Sequence, residues 1–100
     1  MAKKVRVTLE QVREVLVRKM DEPRNDQHKC RMNLVLDVIM QAIKDLDLED
    51  KSDPKEQLEG RSARLFLFGT EGEKTLLALG IEPQFAWDVA LKCNQVVELA

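Results

Sequence analysis

Tyrosine is absent from this 100-residue chain, and its aromatic side chains number four: Trp87 and three Phe. Single-stranded nucleic acid is usually held by aromatic platforms set among cations, and here no aromatic residue interleaves with the basic residues of the N-terminal third. Cysteine is scarce as well. Cys30 and Cys93 are too few for a disulfide framework, and both fall in helix-like segments where reduced, packed thiols are expected. His28 is the only histidine. With Asp26 and Cys30 beside it and Cys93 the sole other soft ligand, it falls short of the roughly four ligands a zinc ion needs, so no metal site is expected.

Other absences narrow the chemistry further. The four glycines form no phosphate loop, because Gly69 and Gly72 frame a helix start with no Lys-Ser or Lys-Thr pair behind them. The acidic run Asp45, Asp47, Glu49, Asp50, Asp53 has Asp50 where a calcium loop needs its turning Gly, so no calcium loop is expected. A nucleophile held by an oriented base cannot be assembled around one His in a charged segment, and the paired carboxylates lie in solvated stretches. No catalytic residue is assigned, no cofactor is expected, and the chain reads as non-enzymatic. The longest strongly apolar stretch, Leu34 to Ile43, is broken by Asp37 and Gln41 and is far shorter than the roughly 20 residues of a membrane span. With no charged and apolar leader in view, a cytoplasmic location is expected.

What is present is a soluble composition, 44% hydrophobic and 34% charged, with a net charge of −2. One hundred residues bury a single modest core, so residues 1–100 are read as one domain. The charge is graded along the chain: residues 1–31 hold nine Lys and Arg against five acids, residues 32–60 three against eight, and residues 61–100 four against five. Such a chain pairs with itself, with another protein, or weakly with nucleic acid.

Helical periodicity dominates. Thr8-Leu9-Glu10-Gln11 has the capping-box form and starts a helix that runs to about Met20 on a stripe of Leu9, Val12, Leu16 and Met20. Val5 and Val7 read as a staple beneath the cap or as a short strand over Lys4 to Val7. A second helix, from about Asp26 to Asp47, is apolar around most of its circumference. Its only polar stripe is Asn33, Asp37, Gln41 and Lys44, so it is expected at the centre, wrapped by the others. Asp45 to Ser52 reads as a loop or frayed end. Asp53-Pro54 starts a third helix that Gly60 is in a position to split, and in Leu65 to Phe68 periodicity does not separate helix from strand. Thr70-Glu71-Gly72-Glu73 repeats the capping pattern before a short helix that stops at Gly80, and Pro83 opens a last helix expected to reach Ala100. The fold class predicted is all-α, a single-domain bundle of four to five helices around a central apolar helix.

In that last helix Phe85, Ala86, Val89, Ala90, Cys93, Val96, Val97 and Ala100 share one arc. Trp87 and Leu91 lie outside it, one turn apart, beside Asn94 and Glu98. A Trp off the core-facing arc is either covered by another segment of the chain or offered to a partner, and large aromatics concentrate binding energy. Trp87, Leu91, Asn94 and Glu98 are therefore the expected partner-binding residues. The same patch gives a homodimer as a variant.

Leu76 to Ala86 resembles the helix-turn-helix family, with Gly80 ending one helix and Ile81 following it. Its second helix offers Glu82, Gln84, Trp87, Asp88 and Leu91, with Lys92 the one cation, a surface that phosphates repel. Lys3, Lys4, Arg6, Arg18 and Lys19 are the residues a nucleic-acid-binding alternative would use, along with Arg24, Lys29 and Arg31. Glu10, Glu14, Asp21, Glu22 and Asp26 lie among them, so surface pairing is the simpler reading.

The segment Arg61-Ser62-Ala63-Arg64-Leu65-Phe66-Leu67-Phe68-Gly69, followed by Leu76 to Ile81 and Pro83, resembles a group of small bacteriophage and prophage proteins with an Ala-Arg-x-aromatic-Leu segment and a Leu-Gly-Ile turn closed by Pro. The likeness covers about a third of the chain. It implies a mobile-element origin and an accessory or inhibitor role, in which the protein occupies a surface of a host complex such as a CRISPR or transcription complex. It carries over no catalytic residue. The expected function is a non-enzymatic protein-binding module with a host or phage protein as partner and no membrane. A nucleic-acid-binding transcriptional regulator with a helix-turn-helix-like C-terminal half is the alternative.

Overall fold

A computed structural model describes residues 3–99, with residues 3, 4 and 96–99 described by their backbone alone. Along the chain lie a strand β1 (Lys3–Arg6), helices α1 (Leu9–Lys19) and α2 (Asp26–Asp45), a 3-10 turn (Leu46–Asp50), helices α3 (Pro54–Leu67), α4 (Thr70–Ala78) and α5 (Pro83–Lys92), and a strand β2 (Val96–Leu99). The fold is the expected all-α bundle, with one short ribbon where β1 and β2 meet.

Caps account for most of the helix starts. Gln11 N–H donates to the Thr8 hydroxyl at 3.2 Å while the Gln11 side chain accepts from Thr8 N–H at 3.0 Å, closing the capping box. Asn25 accepts from His28 N–H at 2.8 Å to start α2, and Asp53 caps α3 with Pro54 as its first residue. The start of α4 differs from expectation. Gly69 is its N-cap and makes no side-chain cap bond, so Thr70 lies inside the helix instead of capping it. The corner is tight: a Cβ at Gly72 would overlap the carbonyls of Phe66 and Leu67. The end of α4 is a Schellman motif. Ile81 N–H donates to Leu76 O and Gly80 N–H to Leu77 O, each at 3.0 Å, and Gly80 takes the left-handed φ of 81° that this turn requires.

The core is one cluster, and α2 contributes more of it than any other element, through Met32, Leu36, Ile39, Met40, Ala42 and Ile43. Val12 and Leu16 of α1, Ala63 and Leu67 of α3, Leu76 and Leu79 at the end of α4, Ile81, and Ala86 and Ala90 of α5 close around them. The helix is central, yet it is not wrapped: Leu34 and Val38 face outward beside Asp37 and Gln41. Gly60 does not split α3. The helix runs through it, and the backbone of Glu49, in the 3-10 turn, lies where a Cβ at this position would stand. Leu65 to Leu67 is helical, and Phe68 is its cap.

The last helix is shorter than expected. It stops at Lys92, and Asn94 adopts a φ of 64°, a left-handed conformation that Asn tolerates better than most residues. The chain then reverses into β2, antiparallel to β1 with Val5 opposite Val97 and Arg6 opposite Val96. Asn94 N–H donates to Val7 O at 2.7 Å and Val7 N–H to Gln95 O at 2.9 Å, so the ribbon continues the turn. Val96 and Val97 are β-branched residues suited to a strand, and pairing with β1 overrides their helical spacing. Ala100 lies outside the described residues.

Candidate functional site

Among the described residues seven large apolar side chains of the helices stand out from the surface, and four of them lie on α2 and α3: Leu34, Val38, Leu58 and Leu65 are 53–71% exposed. Their exposure follows from competition within each helix. On α3 the core-facing side is Gly60, Ala63 and Leu67, and at Gly60 the helix lies directly against the 3-10 turn. At about 100° per residue, Leu58 and Leu65 then project well away from that buried direction. On α2 the buried arc runs through Met32, Leu36, Ile39 and Ile43, and Leu34 and Val38 lie well off it.

Between the two helices runs an open groove of about 570 Å³ lined by Val38, Gln41, Ala42 and Asp45 from α2 and by Leu58, Glu59, Ser62, Ala63 and Phe66 from α3. Its floor is Ala42 and Ala63, both buried, and its rims are Val38 and Leu58. Small residues below and exposed branched side chains at the edge make this an open apolar concavity. Its polar lining residues are Gln41, Asp45, Glu59 and Ser62, of which Gln41 donates to Asp45 at 2.9 Å along α2.

The expected patch around Trp87 is differently placed. Trp87 is half-buried, its indole N–H donates to Leu67 O at 2.8 Å, and its ring lies 6.0 Å from that of Phe68 at 53°. Leu67 is the last residue of α3, so its carbonyl lacks a helical donor, and the indole supplies one. Trp87 therefore joins α5 to the α3–α4 corner. Leu91 is exposed one turn on, and Asn94 is turned toward Asp47, to which its side-chain amide donates. Glu98 stands opposite Lys4 in the ribbon, and its side chain lies outside the described residues. Of Trp87, Leu91 and Asn94, Trp87 is half-buried within the chain and Asn94 is bound to Asp47, so the three do not form one free surface.

The basic residues are also dispersed. Arg6 precedes α1 and Arg18 and Lys19 end it, which separates them by on the order of 15 Å of helix. Lys19 lies over the ring of Phe85 at 5.0 Å, and the side chains of Lys3 and Lys4 lie outside the described residues. On the corner that resembles a helix-turn-helix, the exposed residues of α5 are Gln84, Asp88, Leu91 and Lys92, preceded by exposed Glu82. Gln84 donates to Asp88 at 2.9 Å along that face.

A polar depression near Cys93 includes Asp47, Asp50, Arg64 and Asn94, with Arg64 held to Glu49 at 2.6 Å. Burial first, and the Asp47 charge second, push the Cys93 thiol up, against the lowering effect of the Asn94 backbone N–H. This is the reverse of what activates a thiolate nucleophile. His28 Nδ1 accepts from Arg24 N–H at 3.0 Å and its own N–H is bound by the Asn25 cap, so the ring serves the start of α2. Among the described residues no three His, Cys, Asp or Glu side chains are grouped to hold a metal, and no helix is long and apolar enough to cross a membrane.

The groove was missed in the sequence because α2 reads as apolar all round, a pattern that fits a wrapped helix as well as one with an open face. One signal was present: Gly60, Ala63 and Leu67 share a side of α3 and compete with Leu58 and Leu65 for the core. No family model matches this chain, and no curated protein and no solved structure matches it either.

Proposed function

We propose that this chain is a non-enzymatic protein-binding module whose contact surface is the open apolar face of α2 and α3. The observation that carries the reading is the exposure of Val38 and Leu58 at the rims of a groove with an alanine floor, with Leu34 and Leu65 exposed on the same two helices. Isolated apolar residues on a surface are ordinary, whereas a cluster spanning two helices and a groove is the kind of patch that partners cover. Among the described residues the Cys93 thiol is raised and His28 is engaged at the start of α2, so neither is set up as a nucleophile or its base, which favours binding over catalysis. The resemblance of residues 61–83 to small phage and prophage proteins fits an accessory or inhibitor role, with the module occupying a surface of a host complex such as a CRISPR or transcription complex.

A photo-crosslinking amino acid at Ser62, in the groove, tests this against the same label at Glu10 on α1. The expected result is a discrete adduct from Ser62 that Val38→Lys suppresses, with none from Glu10. Equal labelling from both positions, or no adduct from either, contradicts the reading.

A further inference from the structure

We propose that the partner covering the α2–α3 face is a second copy of this chain, with α2 packed antiparallel against α2 of the partner subunit about a two-fold axis at Val38. This rests on the binding-module reading above and names the occupant of its surface.

The first argument is area. A compact monomer of 11.5 kDa exposes about 5,800 Å². This chain exposes 7212 Å², about 1,400 Å² more. A standard interface removes about 800 Å² from each partner, so the surplus is large enough for one such interface per chain. The shape agrees. The molecule measures 41 × 40 × 20 Å, a slab, and its radius of gyration of 14.6 Å exceeds the roughly 13 Å usual for 100 residues.

The second argument is the order of residues along the exposed seam of α2. Arg31, Leu34, Val38, Gln41 and Asp45 are spaced three, four, three and four apart, the spacing by which helices pair along a seam. They fall within an arc of about 80°. The seam is basic at its start, apolar in its middle and acidic at its end. It is thus complementary to itself when reversed. With Val38 on the axis, residues whose numbers sum to 76 stand opposite one another: Val38 meets its own copy, Leu34 lies over Ala42 of the partner subunit, and Arg31 meets Asp45 of the partner subunit. Leu34 then fills the small-residue floor of the groove, where Ala42 leaves space. Among the described residues neither Arg31 nor Asp45 has an ion-pair partner within the chain. Their separation along one helix is about 21 Å, so they act on each other only through a second copy.

Sedimentation equilibrium of the full chain tests the proposal through a charge-exchange cycle. The wild type is expected at twice 11.5 kDa at tens of micromolar concentration, with Val38→Lys monomeric because it places two like charges on the axis. Arg31→Glu alone and Asp45→Lys alone each weaken the dimer by on the order of tenfold, and the double variant regains most of that loss. Since all three positions are at the surface or its edge, helical content measured by circular dichroism should not change. A wild type that stays monomeric to millimolar concentration overturns the second-copy proposal, while a Ser62 adduct with a different protein would leave the module reading in place. A dimer in which the two charge changes simply add overturns the antiparallel register. A dimer indifferent to Val38→Lys uses another face and overturns the proposal; if Ser62 also yields no adduct, the module reading fails with it.

Discussion

Trp87 shows how one side chain serves packing and polarity together. Its ring extends the core over Phe68, and its N–H satisfies the carbonyl that ends α3. Because this burial is within the chain, its emission should be blue-shifted, protected from iodide, and unchanged on dilution; exposure on dilution would contradict that placement. Trp87→Phe keeps most of the ring area but leaves the Leu67 carbonyl without its donor. It should cost about 1 kcal/mol, a fall in melting temperature of roughly 4–8 °C for a domain of this size. Cys93 gives a second residue-scale expectation. Its folded-state pKa lies above that of the unfolded chain, so on raising the pH the unfolded chain loses the thiol proton first. The stabilisation is fully present at neutral pH and declines above the ordinary thiol range, from about pH 8.5 upward. Urea unfolding followed across that range should show the decline, and Cys93→Ala should flatten it. Alkylation at pH 8 should reach exposed Cys30 ahead of half-buried Cys93.

At the level of elements, Gly60 decides how closely α3 can lie on the 3-10 turn. In an exposed helix interior, Gly→Ala gains about 1 kcal/mol through helix propensity. Here the added methyl meets the Glu49 backbone, so Gly60→Ala should instead destabilise by about 1–3 kcal/mol, read as a lowered urea midpoint. A stabilised variant would show that the turn yields freely. The helices were legible in the sequence wherever a cap and a stripe agreed: Thr8 with Leu9, Val12 and Leu16, Asp53 with Pro54, and Gly80 as a stop. They were less legible where tertiary contact decides. Val96 and Val97 fit the helical arc of α5, and only pairing with β1 draws them into a strand. Asn94 was the available stop signal, weaker than Gly at the same task. The open face of α2 was hidden for a related reason: periodicity reports how many sides of a helix are apolar, and which side is covered depends on its neighbours.

For the whole molecule, the central question is what covers Leu34, Val38 and Leu58. The molecule is a slab 20 Å thick with a surplus of surface, and in the proposed dimer the reversed charge order of the α2 seam would set the register of the second copy. The ion pairs among the described residues, Arg13 with Asp37 and Arg64 with Glu49, lie at the surface and contribute little to stability. Val17 and Leu77 are internal controls, because they are also exposed in the single chain but lie outside the α2–α3 face. The most direct measurement is the broadening of methyl resonances by a soluble paramagnetic agent at a protein concentration of hundreds of micromolar. If the face is buried, the methyls of Leu34, Val38 and Leu58 stay sharp while those of Val17 and Leu77 broaden. Equal broadening of all five would mean that the face is open to solvent and would contradict the account.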